Sequence, residues 1–259
     1  MASVLETFSL KGKTALLTGG AGLYGRQIVE ALAEAGAEVY IASRNLEALT
    51  KVSEAYTNVI PLQLDLGSEE SIRNVMAEVI SRSGKIDILV NNAVTRCACG
   101  GWDLPQEKFD ESLHVNATSM FLLTRLAAED MKKRQSGSII NIGSYMGLLG
   151  PNFTNYTGTD MCVNPSPIYF YEKGGMTNFT RFAASVLGRD NIRVNCVCPG
   201  GLLDSSHQEA FIRQYSANTM LGRLANQTDL KGVIVFLASD ASLYITGTNI
   251  PVDGGYTAK

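Results

Sequence analysis

Tyr169 and Lys173 stand four residues apart, one helical turn, in the run Ile168-Tyr169-Phe170-Tyr171-Glu172-Lys173. A phenol with a pKa of about 10 is a poor base at neutral pH. An ammonium on the same helix face favours the phenolate and makes the pair a proton-transfer device. Far upstream, Thr18-Gly19-Gly20-Ala21-Gly22-Leu23-Tyr24-Gly25 reads as a glycine-rich turn. Glycines let a backbone approach a pyrophosphate, and a helix beginning there supplies unpaired N–H groups. Together the two motifs predict acid–base chemistry beside a bound dinucleotide. Each also has a plainer explanation. Glycine turns join strands to helices for structural reasons alone, and a Tyr/Lys pair one turn apart can be two surface neighbours.

The second predicted strand indicates which dinucleotide is bound. An acid at its end accepts from a ribose 2′-hydroxyl, whereas an arginine pairs with a 2′-phosphate. Here it ends Ala42-Ser43-Arg44-Asn45, without an acid. Arg44 is placed to fork onto the phosphate and Ser43 to add a hydrogen bond, so NADP is favoured over NAD. An exposed arginine opening a helix is the bland reading.

Short β-rich runs alternate with helical patterns, which predicts a parallel sheet covered on both faces. Strands are expected at 14–18, 38–43, 59–63, 86–91, 138–142, 192–198 and 249–252. Helices are expected at 24–35, 46–56, 69–83 (capped by Ser68, with Glu69 and Glu70 in its first turn), 109–134, 167–189 and 228–238. Two irregular stretches, 145–167 and 200–223, follow strand C-terminal ends, where open α/β sheets bind ligands.

The bulk properties fit one α/β domain. The chain has 259 residues, is 45% hydrophobic and carries a net charge of −3 with both signs dispersed. This argues against nucleic acid as a partner. No apolar run approaches the roughly 18 residues of a membrane helix, and residues 1–13 lack a signal-peptide core, so a soluble cytoplasmic protein is expected. Of the five cysteines, Cys196 and Cys198 read as buried strand thiols, while Cys97, Cys99 and Cys162 lie in loops; His114 and His207 fit no ligand spacing, and no metal is expected.

In order along the chain come the glycine turn at 18–25, Asp65-Leu66, Asn91-Asn92-Ala93, Asn116, Ser144, Tyr169 with Lys173, Pro199-Gly200 and Val252-Asp253-Gly254-Gly255. This series resembles the short-chain dehydrogenase/reductase family, in its single-domain branch, over essentially the whole chain. The resemblance implies a doubly wound Rossmann-type sheet of about seven strands flanked by helices, and hydride transfer between nicotinamide and a CH–OH or keto carbon. By the same resemblance Gly19, Gly22, Leu23, Tyr24, Gly25, Asp65, Leu66, Asn92 and Leu202 hold the cofactor, Asp65 at the adenine. Lys173 holds the nicotinamide ribose, Tyr169 exchanges the substrate proton, Ser144 bonds the carbonyl oxygen, and Asn116 holds a water leading from Lys173 to solvent. Taken singly, Asn116 also reads as a helix-bending polar residue, Ser144 as a loop serine and Asp65 as a turn former.

Several departures from the family pattern bear on the substrate. Gly22-Leu23 stands where another residue and then glycine are usual, and Val94 replaces a glycine after Asn92-Ala93. Tyr169 lies 25 residues after Ser144, about double the usual spacing. Tyr156 is nearer that spacing, but Asp160, not a lysine, stands four residues on; Tyr169 is therefore chosen. The segment 145–167 is expected to shape a substrate pocket, with 157–167 as an insertion. Its Asn152, Asn155, Tyr156, Thr157, Thr159, Asp160 and Asn164 suggest a small hydroxylated substrate such as a polyol, sugar acid or sugar phosphate. Arg96, Asn155 and Tyr156 are the expected contacts, Arg96 pairing with a carboxylate or phosphate unless it is only a solvated loop charge. Residues 200–223 are expected to form a lid carrying Leu202, Leu203, Phe211, Ile212 and Met220. The family's habit implies a homotetramer or homodimer. Two other readings are an epimerase or dehydratase without net redox change, and a non-catalytic nucleotide-binding regulator.

Overall fold

The computed structural model describes residues 3–96, 101–161 and 166–258. Seven strands form one sheet: β1 (Thr14–Thr18), β2 (Glu38–Ser43), β3 (Val59–Gln63), β4 (Ile88–Asn91), β5 (Gly137–Ile142), β6 (Ile192–Pro199) and β7 (Asn249–Val252). Their spatial order is β3-β2-β1-β4-β5-β6-β7, and every pair is parallel. Among the described residues eight α-helices accompany them: α1 (Leu23–Glu34), α2 (Leu46–Ser53), α3 (Glu69–Ser83), α4 (Gln106–Leu113), α5 (Ser119–Arg134), α6 (Pro167–Leu187), α7 (Glu209–Asn218) and α8 (Lys231–Ala238).

Successive strand residues point to opposite faces, and helices cover both. In β1, Ala15 and Leu17 join Ile28 and Leu32 of α1 and Ile234 and Leu237 of α8 on one side. Leu16 joins Ile72 and Val79 of α3 and Leu123 and Met131 of α5 on the other. Burying each such aliphatic side chain contributes about 1.5–3 kcal/mol. This is why β1 reads as an unbroken apolar run. The strand order reverses at β1, which pairs with β2 on one side and β4 on the other, so a crevice opens outside the carboxyl ends of the strands.

The expected elements are present with three instructive shifts. The fourth strand begins at Ile88 instead of 86. The Ile86 N–H is taken by the buried Asp130 carboxylate at 3.0 Å and its carbonyl accepts from Arg134 at 2.8 Å, which withdraws this residue from the ladder. The helix expected over 109–134 is split into α4 and α5 by a π-helical turn, His114–Thr118, with Asn116 at its centre. The stretch 145–167 contains two short 3₁₀ turns, Tyr145–Gly147 and Phe153–Tyr156.

Candidate active site

The glycine turn joins β1 to α1 at the switch point. Gly19 adopts φ +73°, a left-handed conformation that glycine allows. A Cβ on Gly25 would lie 2.1 Å from the Gly19 carbonyl oxygen, so α1 can seat this closely against the turn only with glycine there. Gly22 caps α1 without any side-chain acceptor, leaving the first-turn N–H groups of Leu23, Tyr24 and Gly25 to face the crevice. Such a bare, close-packed helix start fits a pyrophosphate. Asn92 locks the turn from β4: its amide donates to the Thr18 and Gly19 carbonyls at 3.0 and 3.1 Å. The Tyr24 hydroxyl donates to the Gly200 carbonyl at 2.8 Å, tying the turn to the segment after β6.

A cleft of about 690 Å³ runs along this edge. Ser43, Arg44, Asp65 and Leu66 line its far end, beside the glycine turn. Arg44 is exposed and has no ion-pair partner among the described residues. One Asp65 oxygen accepts the Gly67 N–H at 2.9 Å, a turn-forming bond that leaves its second oxygen for a ligand. The Leu66 carbonyl accepts the Ser119 hydroxyl.

Ser144, Tyr169 and Lys173 line the cleft together, Ser144 from the end of β5 and the other two from α6. The Ser144 oxygen accepts the Met146 N–H at 3.1 Å, so its own proton is free to be donated. Lys173 is 4% exposed; its ammonium donates to the Ile142 carbonyl at 2.7 Å and lies 5.7 Å from the Tyr169 ring centroid. Two further N–H donors remain on that ammonium. Gly147 lets the Ser144 turn press onto α6, where a Cβ would meet the Lys173 carbonyl oxygen at 2.6 Å.

Asn116 is placed behind the cleft wall. Its amide oxygen accepts the Thr95 N–H at 2.8 Å, and its nitrogen faces the Thr95 carbonyl, the Ser112 hydroxyl and Glu172 at 2.8, 3.1 and 3.0 Å. The side chain is thus fully engaged with protein.

The substrate end differs from expectation. Asn155 is a correction: it is 1% exposed and turned away from the cleft, donating to the Tyr256 hydroxyl at 2.8 Å and accepting from Asn218 at 3.0 Å. Asn152, Thr157, Thr159 and Asp160 also lie off the cleft wall. What the segment contributes is Tyr145, Met146, Tyr156, Met161 and Ser166, while Asn164, Cys97, Cys99 and Cys162 lie outside the described residues. Tyr145, Phe211, Tyr215 and His207 complete an aromatic wall, with ring centroids 5.6 Å apart for both Tyr156–Phe211 and Phe211–Tyr215. Burial pushes the hydroxyls of Tyr24, Tyr145 and Tyr215 up, so all three stay protonated, and it pushes the His207 imidazole down, against the opposing pull of Asp204. Leu202 and Phe211 face the cleft, whereas Leu203 and Met220 are exposed elsewhere.

Arg96 closes the wall beside Tyr169 and Lys173. Its guanidinium is 6.0 Å from the Tyr169 ring centroid, and its charge is felt at the Tyr156 hydroxyl. Glu172 also lines the cleft and was not anticipated. Its signal was present: three residues after Tyr169, it shares the inward face of α6.

A dinucleotide cradle and a Ser/Tyr/Lys constellation in one cleft define a nicotinamide-dependent oxidoreductase acting on CH–OH and keto groups. A family model described as enoyl-(acyl carrier protein) reductase matches residues 22–257. Among curated relatives, the 3-oxoacyl-[acyl-carrier-protein] reductase FabG of Thermotoga maritima is 33% identical over 95% of this chain and 98% of its own. The 2-dehydro-3-deoxy-D-gluconate 5-dehydrogenase of Bacillus subtilis is 33% identical over 98% of both. Among solved structures, a gluconate 5-dehydrogenase from Burkholderia cenocepacia in complex with NADP and tartrate superposes with TM-score 0.88 at 28% identity, covering 99% of this chain and 100% of that one. A short chain dehydrogenase from Leptospira borgpetersenii with bound NAD+ gives TM-score 0.88 at 30% identity, covering 99% and 96%. The chain belongs to the short-chain dehydrogenase/reductase family.

Proposed function

We propose that this protein interconverts a secondary alcohol and a ketone on a small hydroxylated acid, of the sugar-acid type, with NADP preferred. The observation that carries the reading is the joint lining of one cleft by the glycine turn, by Ser144, Tyr169 and Lys173, and by Arg96. When bound, the nicotinamide supplies or accepts the hydride. The chain's own residues manage the proton and the geometry. Tyr169 gives its hydroxyl proton to the substrate oxygen during reduction and takes it back during oxidation. Ser144 points its hydroxyl hydrogen bond at the same oxygen and keeps its own proton, stabilising charge as it develops. Lys173, anchored on Ile142, turns its remaining donors to ribose hydroxyls and holds its positive charge beside the Tyr169 ring.

Arg96 supplies the substrate argument. A guanidinium beside the acid–base tyrosine suits a carboxylate one or two carbons from the reacting centre. The aromatic wall formed by Tyr145, Tyr156 and Phe211 suits the C–H faces of a sugar backbone. The gluconate-type relatives support this choice, and the acyl-carrier relative sets the competing one. At the other end, Ser43 and Arg44 support a 2′-phosphate. The exposed Phe121 of α5 and Phe182 and Val186 of α6 support pairing of two copies through these helices, in a homodimer or homotetramer.

The test is a panel of sugar acids, polyols and 3-oxoacyl thioesters, followed at 340 nm with each nucleotide (a property of the cofactor). Sugar-acid turnover that Tyr169→Phe abolishes, and whose KM Arg96→Leu raises more than that of a neutral polyol, is the expected result. Turnover of acyl thioesters with none on the polyhydroxy panel refutes the substrate reading. A fully active Tyr169→Phe variant refutes the acid–base assignment. Substrate conversion without net change at 340 nm identifies an epimerase or dehydratase instead.

A further inference from the structure

Glu172 is the buried charge that the reaction as described does not use. Helix α6 carries Tyr169, Glu172 and Lys173 at i, i+3 and i+4, so the three share one face. Glu172 is 7% exposed and borders the cleft. Its Oε1 accepts the Ser112 hydroxyl at 2.7 Å and its Oε2 accepts the Asn116 amide at 3.0 Å. Asn116 is in turn fixed to both backbone groups of Thr95 at 2.8 Å. Both carboxylate oxygens are therefore acceptors for neutral donors, in an arrangement that the π-helical turn between α4 and α5 makes possible.

This is an unusual way to bury an acid. Burying an ionised carboxylate without a contacting cation is costly. The nearby ammonium of Lys173 is bonded to the Ile142 carbonyl. Lys173 nonetheless acts on Glu172 through space: burial raises the carboxyl above its ordinary range, while Ser112, Asn116 and the Lys173 charge pull it back. Electrostatic coupling is mutual. A negative charge at Glu172 offsets part of the field that Lys173 exerts on its other neighbour, Tyr169.

We propose that Glu172 is a positioning residue of the proton-transfer site, whose clamped carboxylate tempers Lys173 and so sets the pH at which Tyr169 exchanges its proton. This rests on Tyr169 being the acid–base group. The other groups at this corner are accounted for. Arg96 lies over the Tyr169 ring from the segment after β4. Tyr24 on the glycine turn feels Tyr169. Cys196 and Cys198 on β6 feel Lys173, and Asp253 acts on Cys198. On α4, Lys108 and Glu111 pair with each other at the surface, 2.8 Å apart, and only Ser112 turns inward to Glu172. A mere tie between α4 and α6 needs the hydrogen bonds but not the charge, and a glutamine keeps both contacts when its oxygen accepts from Asn116 and its amide donates to a Ser112 hydroxyl that turns to accept.

The experiment therefore separates charge from shape. The ionisation of Tyr169 is read as tyrosinate difference absorbance, protein minus its Tyr169→Phe counterpart, in the full chain without nucleotide. The pH dependence of kcat for alcohol oxidation is read alongside. E172Q is expected to move both midpoints to lower pH by about one unit, a tenfold gain in the phenolate fraction below the midpoint, and E172D is expected to restore them. If E172Q does not fold, Ser112→Ala removes one donor from the carboxylate, favours neutral Glu172, and has to shift both midpoints the same way. Unchanged midpoints, or a uniform fall in kcat at every pH without a shift, overturn the proposal. If no substrate is turned over but the tyrosinate midpoint still moves, the functional reading fails while the coupling stands.

Discussion

Gly25→Ala is the sharpest perturbation of the cofactor cradle. The added methyl carbon would sit 2.1 Å from the Gly19 carbonyl oxygen and 3.0 Å from the carbon and oxygen of Gly20. Ordinary contacts between non-bonded heavy atoms lie near 3.5–4.0 Å, so the turn and the helix must part by more than an ångström. All the obstructing atoms are backbone, which cannot swing aside as a side chain does. Overpacking of this kind costs about 1–3 kcal/mol. The helix start that is pushed away carries the N–H groups of Leu23, Tyr24 and Gly25, so, if they hold the pyrophosphate, the same distortion falls on nucleotide binding, where that energy corresponds to about 5- to 150-fold in Kd. Gly232→Ala provides the control, because a Cβ there meets nothing within 4 Å. Titration calorimetry with NADP and NAD, with melting temperature measured in parallel, reads both effects. A Gly25→Ala protein that binds either nucleotide with unchanged Kd refutes the claim that this turn holds the pyrophosphate.

Arg44→Asp is expected to weaken NADP binding at least tenfold more than NAD binding, since it removes the phosphate partner and supplies an acceptor for a 2′-hydroxyl; equal losses by calorimetry remove the phosphate argument. Asn155→Ala is expected to lower the melting temperature by a few degrees, because it orphans the Tyr256 hydroxyl in a buried network at a cost of about 1–3 kcal/mol, and to leave KM unchanged. A KM effect without destabilisation restores Asn155 to the substrate site. Because burial raises Glu172 in the folded state, there is a pH window just above the ordinary carboxylate value in which the native protein still holds a proton there that the unfolded chain has released. Stability is therefore expected to fall as pH rises from the ordinary carboxylate value of about 4.3 through the folded value, and E172Q is expected to lose that fall. Parallel melting curves for the two proteins across that window contradict it.

Motifs set by local spacing were legible in the sequence. Tyr169 and Lys173 are one turn apart whatever surrounds them, and a glycine turn between a strand and a helix can point only one way relative to the sheet. Positions in irregular segments were not. Asn155 and Tyr156 are adjacent in the chain, yet one is buried against Tyr256 and the other faces the cleft. No periodicity assigns their directions in a 3₁₀ turn. The aromatic wall was invisible for a related reason: Tyr145, Tyr156, Phe211 and Tyr215 come from three separate segments and meet only in the fold. The helix over 109–134 was expected to be continuous because its apolar pattern continues. Its break at Asn116 is imposed by tertiary bonds to Thr95, which take precedence over helical propensity.

The same break lets one side chain join three elements around the cleft. A regular helix presents residues i and i+4 to one neighbour in succession. The π turn widens one turn at Asn116 and lets its amide reach Thr95 at the end of the β4 segment and Glu172 on α6 at once. The segment after β4 that carries Thr95 and Arg96, and the helix α6 that carries Tyr169 and Lys173, are thereby joined through a single side chain. A substitution at Asn116 should accordingly act in two separable ways. Asn116→Asp replaces the Nδ2 donor with an oxygen, so it both frees the Thr95 carbonyl and sets a second carboxylate against Glu172. Like charges so close cannot both ionise at neutral pH, so one of the two takes up a proton. Loss of stability that is relieved at low pH, where that proton is readily available, is the signature of this arrangement. A pH-independent loss would show that Asn116 serves only to anchor the loop.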